Sequence, residues 1–222
     1  MDTFKNLTII GTSHIAIQSI EEVKQSIKKT HPDIIALELD AIRFKKLISK
    51  NQKINLWKNI GTQGFFFNLI GAWAEKKLGE KVNILPGSEM KAAIKIAKKE
   101  KIKIALIDQD IRITLKKLSK EITFKEKLTF FKDILSSIFS FKNKIDVDLT
   151  KVPEKNFIKK IIKEVKKRYP NVYRILVKER NKIMAVNLIT LMNTNKIILA
   201  IVGAGHEEEL IQDIKCLSKS KK

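Results

Sequence analysis

The chain has 222 residues, 44% of them hydrophobic and 31% charged, a globular composition that excludes a disordered polypeptide. Its formal net charge of +21 comes almost wholly from lysine, since the arginines are only Arg43, Arg112, Arg168, Arg174 and Arg180. The lysines are mixed with glutamate along every amphipathic segment, with no interleaved aromatic residues. This describes a solvated surface, and no nucleic-acid partner is expected.

The single cysteine, Cys216, excludes an intrachain disulfide and fits a reducing cytoplasm. The positive charge is also compatible with peripheral attachment to an anionic membrane. No basic segment followed by a long apolar run opens the sequence, so no signal peptide is expected. The most apolar window, Gly64 to Ala74, is too short to cross a bilayer.

Four apolar runs rich in Ile and Val predict strands: Leu7–Ile10, Ile34–Leu39, Ile102–Ile107 and Ile197–Val202. Strands apolar on both faces belong to parallel sheets. Between them lie helical patterns. Ser19–Lys29 has Ser19 as expected N-cap and Glu22 completing a capping box. Ala41–Lys50 and Glu89–Lys99 follow. Two aromatic-bearing stretches, Asn55 to Leu78 and Thr114 to Asn143, read as helical insertions. Trp57, Phe65, Phe66, Phe67, Trp73, Phe124, Phe130, Phe131, Phe139 and Phe141 are expected in the core, or else on a face for a homodimer, peptide or membrane partner. Beyond a loop at Asp146–Pro153 come helices at Glu154–Lys167 and Val172–Met192. The pattern predicts an open α/β fold. Its mainly parallel sheet has four or slightly more strands, with helices on both faces. One domain covers 1–216, with insertions at about 55–80 and 114–145, and a basic tail covers 217–222.

Ligands in such sheets bind beyond the carboxyl ends of the strands. Those ends carry Gly11-Thr12-Ser13-His14, Glu38-Leu39-Asp40, Asp108-Gln109-Asp110 and Gly203-Ala204-Gly205-His206. In extended chain, residues two apart point the same way. Asp40 and Asp110 suit helix caps, which leaves Glu38 and Asp108 as the better site residues. With 8 glycines in 222 residues, a histidine has a glycine three positions before it about 4% of the time by chance, yet two of the three histidines do. The glycine is expected to permit a sharp exit from the strand, and the two turns to mark opposite ends of one cavity. His31 reads as a surface residue.

On a uniform wheel of the last long helix, Val172, Ile175, Leu176, Ile183, Met184, Val186 and Leu188 form an apolar arc. Arg180 and Asn187 fall inside it and Glu179 near its edge, while Arg174, Lys178, Asn181 and Lys182 face water. Arg180 and Glu179 then either tie the helix to the sheet or line the pocket. Glu89 lies in the first turn of a helix, where the dipole alone favours a carboxylate.

These pieces resemble the TraB/PrgY family of pheromone-shutdown proteins. The resemblance rests on Gly11 to His14, Pro32 to Asp40 with Arg43, Gly87-Ser88-Glu89-Met90, Leu106 to Ile111, Glu179-Arg180-Asn181 with Met184-Ala185, and Val202 to His206, in the family's order. It implies a fold like the erythromycin-esterase and ChaN group. It also implies kinship with Tiki proteins, metal-dependent peptidases with paired Gly-x-x-His motifs. It further implies a divalent ion (Mn²⁺, Co²⁺ or Zn²⁺) held by His14, His206 and Glu38, with Glu89, Glu179, Arg180 and Asp108 completing a hydrolytic site for peptides. Hydrolysis with a histidine base and no metal is the near variant, and sequestration of a peptide or hydrophobic ligand the alternative. Many family members continue into C-terminal membrane segments. This sequence ends in Ser218-Lys219-Ser220-Lys221-Lys222, so no transmembrane anchor is expected. The family often has a glycine soon after the second histidine, where this chain has Glu207-Glu208-Glu209.

Overall fold

The computed structural model describes residues 1–12, 17–49, 87–139 and 155–219. The predicted insertion at 55–80, the window 64–74, the loop 146–153, His14, Phe141 and the last three residues lie outside the described residues. Five strands form one sheet: β1 (Asp2–Phe4), β2 (Leu7–Thr12), β3 (Ile34–Leu37), β4 (Lys103–Leu106) and β5 (Ile198–Gly203). Their order is β1-β2-β5-β3-β4, with β1 antiparallel to β2 and all other pairs parallel. The open α/β architecture is as expected. The short edge strand β1 adds a fifth member through a tight turn in which Lys5 has φ 55°.

The helices are α1 (Ile17–Thr30), α2 (Ala41–Ile48), α3 (Ser88–Lys99), α4 (Ile111–Glu121), α5 (Phe124–Phe139), α6 (Lys155–Arg168), α7 (Pro170–Tyr173), α8 (Glu179–Met192) and α9 (Glu207–Lys219). Alternation along the strands divides the core. Ile198, Ala200 and Val202 pack with Met184, Leu188, Leu210 and Ile214 on one face. Leu199 and Ile201 pack with Val23, Ile27, Met90, Ala93 and Ile94 on the other. With both faces covered, β3 and β5 had to be apolar throughout.

Several local expectations change. Ser19 is not the N-cap of α1, because the helix starts at Ile17 and Ser19 is buried within its first turns. Asp40 and Asp110 do cap α2 and α4. Asp40 accepts from the Ile42 and Arg43 amides at 2.7 and 3.0 Å, and Asp110 from the Arg112 amide at 2.9 Å. The aromatic residues of α5 are not uniformly core: Phe124 is 80% and Phe131 54% exposed. Thr123 opens α5 with a capping box. Glu126 accepts from the Thr123 amide and hydroxyl, and also from the backbone and side-chain amides of Asn171 at the start of α7.

The helical run from α7 into α8 is not uniform. Residues Arg174–Lys178 form a π turn, in which the Glu179 amide donates to the Arg174 carbonyl five residues back. The wider turn holds one extra residue and shifts the phase of everything after it by about 100°. Ile183 and Val186, inside the apolar arc of the uniform wheel, are exposed, whereas Asn181, assigned to its wet side, is fully buried.

Candidate functional site

The position of β5 governs the site. This last strand inserts between β2 and β3, with Thr12 opposite Gly203 and Leu37 opposite Ile201. The two Gly-x-x-His segments therefore begin on neighbouring strands, with His14 outside the described residues. The Ala204 amide donates to the Thr12 carbonyl at 2.9 Å. Glycine 11 serves space, not dihedral freedom. It lies within β2, and a Cβ there would sit 2.7 Å from Glu207 Oε2 and 3.0 Å from the Ala204 Cα. Among the described glycines only Gly87 has a positive φ.

At the carboxyl end of β3, Glu38 is buried and accepts from the Gly203 amide at 2.6 Å through Oε2. Its Oε1 meets the Arg180 guanidinium. Asp108, just past β4, accepts from Arg180 Nε at 3.1 Å and also from Arg180 Nη2 and Arg43 Nη2. Arg43 in turn donates to Asp40 at 2.6 Å. Arg180 Nη1 reaches the Leu176 carbonyl in the π turn at 3.0 Å and His206 Nε2 at 3.3 Å. All three guanidinium nitrogens are thus engaged by the protein. Burial opposes the charge on Arg180, but Glu38 and Asp108 outweigh that and raise its pKa. Among the described residues three carboxylates, Glu38, Asp40 and Asp108, face the two guanidiniums of Arg43 and Arg180.

His206 caps the cluster. Its Nε2 lies 3.4 Å from Glu38 Oε1 and its Nδ1 2.6 Å from Asn181 Oδ1. Of the residues expected from the sequence, Glu38, Asp108, Arg180 and His206 come together. Glu179 engages different partners, Lys117 at 2.6 Å and Arg174. Burial works against its charge, but those two cations hold its pKa below the usual carboxylate value. Glu89 is buried in the first turn of α3, at the same sheet edge. Asn187 donates to the Ile107 carbonyl at 2.8 Å and ties α8 to the end of β4. Sequence reasoning missed Asn181, which only the phase shift brings inward. It assigned no site role to Arg43, although Arg43 lies three residues after Asp40 on α2, where a second cation near the strand end could be read.

Glu38 and His206 supply one oxygen and one nitrogen to a shared position. The Arg180 guanidinium contacts both, and among the described residues no group of three His, Cys, Asp or Glu has metal-binding spacing. These donors alone do not fit a divalent ion. Open space lies alongside. A cleft of about 720 Å³ is lined by Gly11, Ala204, Gly205, Glu207, Ile162 and Lys163 among others, on the turn that precedes His206.

A mostly parallel α/β sheet with a buried Arg–carboxylate–His cluster at its carboxyl edge defines the class of protein. The pattern of the TraB/PrgY/gumN family matches residues 2–208, and the chain belongs to that family. It is 42% identical to an uncharacterised protein of Methanocaldococcus jannaschii over 219 residues, covering 96% of this chain and 54% of that protein. It is 24% identical to a human TraB domain-containing protein over 193 residues, covering 78% of this chain and 49% of the relative. A mouse TraB domain-containing protein is 25% identical over 189 residues, 78% of this chain and 49% of the relative. The chain thus spans about half the length of the curated relatives it matches. No helix among the described residues is long and apolar enough to cross a membrane.

Proposed function

We propose that the chain is a hydrolase acting on peptides, with His206 as the group that accepts and returns the proton. The observation carrying this reading is the position of His206. It stands past the end of the central strand, between Gly205 and Glu207, which line the cleft, with one ring nitrogen against Asn181 and the other facing Glu38. A water attacking a scissile carbonyl would lose its proton to Nε2. Glu38 would stabilise the imidazolium that forms. Arg180, with all its nitrogens engaged, would hold Glu38 and Asp108 in place and not bind substrate. A metal-dependent form, the one that the resemblance to Tiki peptidases implies, would add His14 to His206 and Glu38.

A peptide-library cleavage assay with and without chelator, alongside metal analysis of the purified protein, tests both forms. Chelator-resistant cleavage abolished by His206→Gln supports the histidine base. Chelator-sensitive cleavage with stoichiometric Mn²⁺, Co²⁺ or Zn²⁺ supports the metal form. A second reading, a protein that sequesters its ligand, is favoured by the closure of the Arg180 network. It predicts peptide binding that survives His206→Gln, with no turnover by the parent protein.

A further inference from the structure

Helix α5 has two unlike faces. On the inner one, Glu126 is buried and bonded to Thr123 and Asn171, and Asp133 meets Arg168 and Tyr169. Phe130 packs edge-on to Tyr169 there, with ring centroids 6.2 Å apart. The opposite face is apolar and open. Phe124 is 80%, Leu128 44% and Phe131 54% exposed. Spaced four and three residues apart, these side chains fall within about 60° of one another around the helix. Lysines flank the stripe. Lys125 and Lys132 are exposed, Lys127 is half-buried, and none of the three has an ion-pair partner among the described residues. The acids nearby are committed elsewhere: Glu121 pairs with Arg174 at 2.6 Å, and Glu126 and Asp133 face inward.

We propose that this face of α5 docks on an anionic phospholipid bilayer, with Phe124, Leu128 and Phe131 entering the interface and Lys125, Lys127 and Lys132 against the headgroups. Charge decides between the occupants. A second copy on this face would bring the same lysines against one another, with no acid to pair them. A peptide is held in a groove, and the cleft beside the site is lined by none of these residues. A bilayer offers an apolar layer and an anionic surface together, which matches an amphipathic helix with aromatic residues on one side and lysines at its borders.

The experiment is co-sedimentation of the full chain with vesicles of phosphatidylcholine alone and of phosphatidylcholine and phosphatidylserine in equal amounts. A chain of net charge +21 adsorbs to anionic vesicles through other lysines too, so a charge-neutral variant carries the test. Phe124→Ser/Phe131→Ser is expected to weaken binding to the anionic vesicles at least about tenfold. The same exchange at another exposed apolar pair, Ile183→Ser/Val186→Ser on α8, is expected to leave binding unchanged. Lys125→Gln/Lys132→Gln is expected to weaken it by about fivefold for each lysine removed. Vesicles of phosphatidylcholine alone are expected to bind the parent far more weakly. If the double variant does not fold, Phe124→Ser alone replaces it at the more exposed position. Undiminished binding by the α5 phenylalanine variant, an equal loss in the α8 variant, or no binding by the parent overturns the proposal. So does a parent dimer in sedimentation velocity that Phe124→Ser/Phe131→Ser converts to monomer, which would give the face to a second copy.

Discussion

Replacing Arg180 with methionine keeps most of the side-chain volume and removes every donor from the centre of the cluster. The side chain of Asp108 is fully buried and that of Glu38 only 5% exposed, so neither carboxylate can recover its hydration. Asp108 keeps Arg43 and the Gln109 amide, and Glu38 keeps the Gly203 amide and the His206 contact. Breaking a buried ion pair by removing one partner costs about 3–5 kcal/mol. Two carboxylates share this guanidinium, which places the loss toward the upper end. For a chain of this size that is a fall in melting temperature of about 6–20 °C. Urea denaturation followed by circular dichroism measures it directly. Adding Glu38→Gln to Arg180→Met should return part of the loss, since the stranded charge is then gone. A loss below about 1 kcal/mol, with both carboxylates intact, would refute the account of Arg180 as the charge that holds the strand ends together.

Three further outcomes follow from the geometry. Gly11→Ala should destabilise by about 1–3 kcal/mol in thermal unfolding, because the added methyl meets the Ala204 backbone and the buried Glu207 carboxylate. Asn187→Ala strands the Ile107 carbonyl at the end of β4 and should cost about 1–3 kcal/mol in urea denaturation. For Glu126, burial opposes ionisation, but hydrogen bonds from Asn171 and Thr123 outweigh it and lower its pKa. Its stabilising contribution is therefore complete above the unfolded-state value and is lost as pH falls through the lower folded value. Glu126→Gln should flatten that part of the stability–pH curve, and an unchanged acid limb in the variant would remove the assignment.

What the sequence disclosed depended on how local the determinant was. The strands were readable because β3 and β5 are sealed on both faces and have to be apolar at every position. Asp40 and Asp110 were readable as caps because a cap acts within three residues. Glu38 and Asp108 were readable as a converging pair because strand ends share one sheet edge. The adjacency of the two Gly-x-x-His segments was not readable, since it follows from β5 inserting between β2 and β3, a pairing made across the whole chain. Glu179 stands apart from the Arg180 cluster for a different reason. Its neighbour Arg180 turns inward, but Glu179 finds Lys117 of α4 and its own Arg174. Phe124 and Phe131 show the limit of composition, because aromatic content does not say which side of α5 meets the core.

The π turn has a bearing on how this chain tolerates change in length. Val172, just before it, and Ile175 at its start are in register with α4 at Leu115 and Leu118, and positions after it are in register with the sheet. The two registers differ by one residue, and Arg174–Lys178 stores that residue. The segment behaves as a vernier: its residue count, more than its composition, decides which side chains of α8 arrive at the strand ends. Removing one residue there would leave the helix hydrogen-bonded as an ordinary α-helix and still turn both Arg180 and Asn181 away from their partners. Substitutions within the segment that preserve its length would leave those two contacts in place.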